Sequence, residues 1–465
     1  MLVNTLNFQG DRSDMSESAA PTVSTFRRGV HPDEYKNLTC GTPSQTLELP
    51  SEVFIALQQH IGAPCEALVE KGDMVKTGQK IADSKAFVSS PIHASITGKV
   101  MAVASFPHPL GAKVPMIHIK REGEEDDWEL LEVPNNWETA SREQLQTLIR
   151  EAGIVGLGGA AFPTHVKMTP PPDKTIDTFI LNGCECEPFL TCDHRNMLED
   201  TDRILKGMAM MMKTLDIKQG IVGIEANKAD AITVMESRVK ALGLDFKVQA
   251  LKVKYPQGAE KMLIDAALGR KVPAGGLPMD VGVVVNNVAT ALAVYEAVID
   301  GKPLIQRMLT VTGNAIAKPG NIIVRLGSSF QSCVDACGGL NSDASQVYMG
   351  GPMMGLAQYD LSVPTLKATS GIVCMENTDI QKTRHYPCIQ CGTCVSVCPM
   401  NLVPTRISRF AETGKLDECK EWGVFNCIEC GSCAFVCPSG IPLVQWIRVG
   451  KVKSTEKDQK LKAQA

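Results

Sequence analysis

Apolar positions fall into distinct regimes along this chain. Between residues 150 and 300, short apolar runs alternate with stretches of helical spacing. Thr178-Phe179-Ile180-Leu181 and Ile221-Val222-Gly223-Ile224 are strand-length runs, and Phe246 to Val253 is extended. Residues 201–213 and 228–242 repeat their apolar positions at helical spacing. Met208, Met210, Met211 and Met212 in the first of these read as core filler, since flexible thioethers suit irregular gaps. This series predicts a parallel sheet covered by helices. Residues 46–120 instead read as short strands broken by Gly and Pro, in two halves, Lys71 to Ala82 and Pro91 to Val100. Residues 307–345 return to short β elements turned at Gly313, Pro319, Gly320 and Gly327. Gly350-Gly351-Pro352-Met353-Met354-Gly355 is a tight-turn sequence. Leu402, Ile407, Phe410, Leu416 and Trp422 fall at roughly helical spacing. Residues 126–150, acidic then polar, read as a link between domains. The polar first 25 residues and the lysine-rich 451–465 read as flexible tails.

The expected fold class is multidomain α/β, with units at 26–125, 126–305, 306–365 and 366–450 between the two tails. Length supports several units, because 465 residues exceed the roughly 250–300 at which single cores stop growing. A 5% aromatic content and a net charge of −4 argue against nucleic acid as a partner. No apolar run approaches the roughly 18 residues of a membrane span. The first 24 residues lack the apolar region of a signal peptide. These absences point to the cytoplasm, with docking on a membrane through partner subunits.

Cysteine placement changes the picture most. Cys388, Cys391, Cys394 and Cys398 are followed by Pro399, and Cys427, Cys430, Cys433 and Cys437 by Pro438. Each is a C-x2-C-x2-C-x3-C-P run, the bacterial signature of a [4Fe–4S] cluster. Three thiolates two residues apart wrap one face of a cubane, and the proline turns the fourth away. In two-cluster modules that fourth cysteine serves the other cluster. The expected sets are therefore Cys388, Cys391, Cys394 and Cys437, and Cys427, Cys430, Cys433 and Cys398. Zinc takes separated pairs and disulfides need an oxidising compartment, so neither fits two identical quartets. Nine of the 17 cysteines lie outside the quartets and show no paired framework.

The densest glycine stretch is Gly153-Ile154-Val155-Gly156-Leu157-Gly158-Gly159-Ala160-Ala161-Phe162-Pro163-Thr164. Such density lets backbone N–H groups approach a phosphate or a flat ring. An ordinary loop fits it as well. It is not the G-x-G-x-x-G of a dinucleotide fold.

This stretch resembles the flavin- and NADH-binding subunit of respiratory complex I, whose pattern is G-R-G-G-A-G-F-P-T-G-L-K. Lys167 matches the terminal lysine and Phe162 the aromatic that stacks on adenine. Asn182-Gly183-Cys184-Glu185-Cys186-Glu187-Pro188 is similar to N-A-D-E-x-E-P. Tyr255-Pro256-Gln257-Gly258-Ala259-Glu260 is similar to Y-I-C-G-E-E, and Asn286-Asn287-Val288-Ala289-Thr290 to N-N-V-E-T. Leu157, Cys184 and Ala259 depart from the arginine, aspartate and glutamate of that family. The whole chain, over about residues 26–450, resembles the C subunits of Rnf-type ferredoxin:NAD oxidoreductase complexes coupled to ion transport. That match includes Gly29-Val30-His31-Pro32-Asp33-Glu34-Tyr35-Lys36, Gly350 to Gly355 and both quartets.

The resemblance implies FMN, NAD(H) and two [4Fe–4S] clusters as cofactors. Gly156, Gly158, Gly159 and Lys167 would hold the FMN phosphate. Asn182, Asn286, Asn287 and Thr290 would bond the flavin or its ribityl chain. Glu185, Glu187 and Glu260 would meet the nicotinamide ribose and amide, with Phe162, Tyr255 and Gly258 beside them. No side chain is expected to act as a catalytic acid or base. Hydride would pass between NAD(H) and FMN, and single electrons through the clusters to membrane and iron–sulfur subunits, with ferredoxin an indirect partner. The location implied is peripheral, on the cytoplasmic face of a prokaryotic plasma membrane. Residues 306–365 would be a small β-grasp (SLBB-like) domain, and 366–450 a helical two-cluster domain. Residues 26–125 resemble the biotinyl/lipoyl barrel-sandwich fold. There Lys85 falls near the lysine that carries the prosthetic group, but on a shorter hairpin, and is expected to be unmodified. Two other readings share parts of this pattern: a soluble flavin/iron–sulfur cobalamin reductase, and a cluster-bearing scaffold with a vestigial flavin site.

Overall fold

The computed structural model describes residues 23–341, 344–376 and 385–464. The tail expected over residues 1–25 lies almost wholly outside them; Ser24 already bridges to Leu251.

The central unit is a four-stranded, all-parallel sheet. Its order is Phe246–Leu251, Gln219–Glu225, Thr178–Gly183 and Val283–Asn287. Phe179, Ile180 and Leu181 are fully buried, as a strand covered on both faces requires. The helices Thr201–Leu215 and Val288–Ile299 pack against each other on one face. Met208, Met210, Met211 and Met212 all lie in that core, as expected of filler. The link expected over 126–150 is partly wrong. A capping box of Ser141 and Gln144 starts the helix Arg142–Glu151, which buries Leu145 and Ile149 in the same core. Its apolar positions Leu145, Leu148 and Ile149 do keep helical spacing, but they are few among polar residues and the stretch reads as a link.

Residues 52–121 form two small antiparallel sheets around a core of Val53, Ile55, Val75, Ile81, Ile92, Val100, Ile117 and Ile119. Lys85 is exposed in the bend between the strands Lys80–Asp83 and Ile92–His93.

A mixed six-stranded sheet follows, with the helix Phe330–Ala336 on it. It includes the strand Gly371–Glu376, which pairs in parallel with Gln306–Thr312. The boundary expected at 365 is therefore too early. Ile372 and Cys374 are buried with Leu309 and Phe330, but a single strand after an irregular loop leaves no pattern naming its owner.

The last unit is helical, as expected, with helices Thr393–Val397, Pro404–Glu412, Leu416–Glu421, Ser432–Phe435 and Leu443–Gln464. The flexible tail expected at 451–465 is corrected: the final helix runs through it. Ile447 packs on Ile407, Ala411, Cys419 and Val424. Lys457 pairs with Asp417 at 2.7 Å, and Asp458 with Lys420 at 2.7 Å. Lysines are good helix formers, and charge content alone masked the helix. No helix among the described residues is long and apolar enough to cross a membrane.

Candidate flavin, nucleotide and cluster sites

The carboxyl ends of the parallel strands converge on one edge, where open α/β sheets hold ligands. Asn182 lies near the end of one strand, and Asn286 and Asn287 end its neighbour, with Asn287 in register with Asn182. Asn287 Oδ1 accepts from the Ala289 N–H at 2.8 Å, capping a helix, while Nδ2 donates to Asp193 at 2.6 Å. Asn182 Nδ2 donates to the Gly258 carbonyl at 2.8 Å. Asn286 Nδ2 is buried and lacks a hydrogen-bond partner among the described residues.

The glycine loop folds over this edge. The Gly156 N–H donates to the Phe162 carbonyl at 2.9 Å and closes it. The Leu157 N–H donates to Thr290 Oγ1 at 3.0 Å, and its carbonyl accepts from the buried Arg307 at 3.2 Å. Leu157 thus works through its backbone and buries its side chain, which accommodates the departure from arginine. A Cβ on Gly158 would lie 2.6 Å from Asn287 Nδ2, so only glycine lets the loop settle on the asparagine. Gly158, Gly159 and Ala160 are exposed, and Phe162 is half-buried. Lys167 pairs with Glu260 at 2.8 Å and donates to the Val285 carbonyl at 3.0 Å. Exposed glycine backbone, an orphaned buried amide and a lysine on one edge suit a flavin phosphate and ring.

Two expected carboxylates are engaged by protein donors. Glu185, at φ +44°, accepts from the backbone N–H groups of Asp193 at 2.7 Å and His194 at 3.2 Å. Burial, then the Glu185 charge, raises Asp193 above the usual carboxylate range. Glu187 accepts from the Tyr255 hydroxyl at 3.1 Å and the Met353 N–H at 3.1 Å. A sugar contact at either would share oxygens already in use.

Burial raises Glu187 to about 7. Between an unfolded pKa near 4.5 and that value, the folded state holds more protons, so stability falls as pH rises through this window. The Glu187→Gln variant removes the charge; its one amide oxygen can accept from Met353 while its Nε2 donates to the Tyr255 oxygen. It is expected to lose this fall, of the order of 3 kcal/mol, while both cluster signals persist. Denaturant titrations at pH 5 and pH 8 check it; equal pH dependence in the two proteins would refute it.

The sequence puts Gly29 to Lys36 in the resemblance but gives Phe26 to Lys36 no role, since it has no periodicity to follow. The buried Lys36 ammonium donates to three carbonyls of the 184–190 loop: Glu185 at 2.8 Å, Glu187 at 3.0 Å and Leu190 at 2.6 Å. Tyr35 stacks on Phe189. Val30 exchanges backbone bonds with Tyr255, and the Gly29 N–H donates to Val397. A Cβ on Gly29 would meet the Tyr255 carbonyl at 2.5 Å, and its φ is +86°. Arg28 donates to the carbonyls of Val395 at 2.9 Å and Cys398 at 3.4 Å. This strap ties the sheet to the cluster segment.

The two quartets repeat one backbone. Gln390 and Glu429, the third residue of each, both have φ near +57° (58° and 57°), and each N–H donates to the first cysteine, Cys388 or Cys427, at 3.4 and 3.3 Å. Cys394 lies close enough to Cys391, Cys437 and Cys388 for their thiolates to raise its thiol. Cys433 lies likewise close to Cys427, Cys430 and Cys398, and a cavity is lined by these four with Pro399 and Ile447. Sulfurs gathered around a cavity, with N–H donors to sulfur, suit a cubane. The Tyr255 hydroxyl, whose one proton is shared with Glu187, makes its shorter bond to the Cys430 carbonyl at 2.8 Å, so this second set lies against the flavin unit. Cys388 and Cys391 are exposed.

Comparison with known proteins divides the chain in the same order. Residues 24–124 match the RnfC barrel sandwich hybrid domain, 149–296 the Nuo51 FMN-binding domain, 308–357 the SLBB domain and 387–457 a 4Fe-4S dicluster domain. The chain is 47% identical over 399 residues to the C subunit of the proton-translocating ferredoxin:NAD(+) oxidoreductase complex of Clostridium ljungdahlii, covering 86% of this chain and 87% of that one. It is 45% identical to the Na(+)-translocating counterpart of Acetobacterium woodii, covering 92% and 96%. It is 40% identical to the C subunit of the ion-translocating oxidoreductase complex of Rhodobacter capsulatus, covering 94% and 84%. This chain belongs to the family of C subunits of ion-translocating ferredoxin:NAD(+) oxidoreductase complexes.

Proposed function

We propose that this chain is the NAD(H)-reacting electron-transfer subunit of such a complex, with FMN at the strand ends and two [4Fe–4S] clusters in the C-terminal unit. The carrying observation is the contact of the two sites: Tyr255, on the flavin unit, donates to the backbone of the cluster cysteine Cys430. FMN bound here supplies the exchange between the two-electron hydride of NAD(H) and the single electrons that clusters carry. The chain's own groups bind and orient. Gly156, Gly158, Gly159 and Lys167 hold the phosphate, and Asn182, Asn286, Asn287 and Thr290 fix the ring and its chain. Phe162 offers a face to the dinucleotide, and Glu260 stands beside Lys167 at the rim. Cys427, Cys430, Cys433 and Cys398 hold the cluster nearer the flavin. Cys388, Cys391, Cys394 and Cys437 hold the outer one. Exposed Tyr386 and Ile389 lie next to that outer set and form the docking face for an iron–sulfur subunit of the complex. Peripheral placement on the cytoplasmic face of a prokaryotic membrane accords with the absence of a membrane-crossing helix among the described residues.

Anaerobic purification should yield flavin and iron together, with NADH bleaching the flavin. Iron without flavin would favour the scaffold reading. The site is built from backbone, amide and lysine groups, so denaturation should release all flavin into a filtrate. Flavin retained on the denatured chain would refute non-covalent binding.

A further inference from the structure

Two loops of the barrel-sandwich unit lie on the glycine loop of the flavin unit. The Ile61 N–H donates to the Ala161 carbonyl at 3.4 Å, next to Phe162. His165, three residues after Phe162, has its Nε2 3.1 Å from the Phe87 carbonyl, and the two rings meet edge-on at 5.9 Å. The loops are also fixed to each other. The Ala63 N–H donates to the Val88 carbonyl at 3.0 Å, and the Ser90 N–H to His60 Nε2 at 3.1 Å. Yet Phe87 stays 60% exposed and Ile61 51% exposed. A single exposed apolar residue means little. Here two are held by backbone bonds beside a run of exposed glycine backbone, Gly158 to Ala160, with Phe162 adjoining. Aromatic faces gain from stacking on flat heterocycles.

We propose that the barrel-sandwich unit completes the dinucleotide site, with Phe87 packing on a flat ring of bound NAD(H) and Ile61 flanking it. This deepens the function proposed above and rests on it. The hairpin that holds Lys85 is thus used for substrate binding, through the residue two positions on.

The test uses the full chain loaded with FMN and clusters, with ferricyanide as electron acceptor. Phe87→Ala should raise KM for NADH about ten-fold, equivalent to roughly 1.4 kcal/mol, with kcat unchanged, because a contact made equally in ground and transition states is lost. Phe87→Tyr should restore most of the affinity. Flavin content should not change. Calorimetry with ADP-ribose should show the same loss in the Phe87→Ala protein, independently of turnover. Phe87 is mostly exposed, so folding is not at stake; Ile61→Ala, expected to weaken NADH binding less, gives a second reading of the same wall. Unchanged KM and unchanged ADP-ribose affinity in Phe87→Ala would overturn the proposal, as would a fall in kcat alone. Wild-type protein whose flavin NADH does not bleach would instead overturn the functional reading beneath it.

Discussion

Replacing Cys398 with alanine is expected to abolish the cluster of Cys427, Cys430 and Cys433 and to spare that of Cys388, Cys391 and Cys394. Cys398 belongs by sequence to the first quartet. In the fold it is buried beside the second triad and lines the same cavity. Cys437 is its mirror, lying next to Cys394. Half of the iron should be lost, with one of the two reduced-state paramagnetic signals. NADH should still bleach the flavin, since that step lies upstream. Onward electron flow to a partner should fail, because the lost cluster is the one against the flavin unit. Cys437→Ala should remove the other signal. The decisive comparison is with Cys388→Ala: if it and Cys398→Ala erase the same signal, each quartet holds its own cluster and the crossed arrangement is wrong.

Lys36→Met should release flavin and destabilise the flavin unit by about 3 kcal/mol, the scale of stranding the buried partners of a charged group. The methionine fills the volume but leaves the carbonyls of Glu185, Glu187 and Leu190 without their donor. Those carbonyls belong to a loop whose Glu185 and Phe189 both sit at positive φ, a conformation the surroundings must impose. Burial lowers the Lys36 pKa, with the nearby Lys228 adding to this and Glu185 and Glu225 opposing it. Lys36→Arg is not expected to rescue, because a planar fork cannot point at three converging carbonyls. Flavin fluorescence during a thermal ramp measures the effect. A Lys36→Met protein that keeps its flavin to the wild-type temperature would remove the loop-holding role.

What the sequence made legible was whatever is written in local spacing. The two quartets announced both clusters, since three thiols on successive short turns can serve only a few centres. Thr178–Gly183 and Gln219–Glu225 announced a parallel sheet, being apolar on both faces. The glycine loop was visible as a candidate and became specific only through its resemblance. Residues acting across long separations were not legible. Lys36 reaches 149 to 154 residues along the chain, and nothing in a charge-rich stretch marks a lysine for burial. Arg307 supports Leu157 from 150 residues away. Glu187 was readable as a conspicuous carboxylate, but not its bonds to Tyr255 and Met353. The helix Leu443–Gln464 was hidden because its lysines look like a solvated tail until Asp417 and Lys420 are brought beside it.

The strap has a consequence for the order of assembly. Arg28 bonds to carbonyls 367 and 370 residues later in the chain. A growing polypeptide finishes its sheet, with Ser24 and Val30 able to seat on Leu251 and Tyr255, well before the cysteines of either quartet exist. Half the strap therefore waits, with Arg28 and the Gly29 N–H unpaired, until the last unit is made. Closing so long a loop carries little extra entropic cost, since that cost grows only with the logarithm of length. What seating needs is the turn at Val395–Cys398 in its final shape, and Cys398 is also a proposed ligand of the inner cluster. The first described residues are thus fully fastened only once the C-terminal unit has folded, and a cluster bound at Cys398 would tighten the same turn.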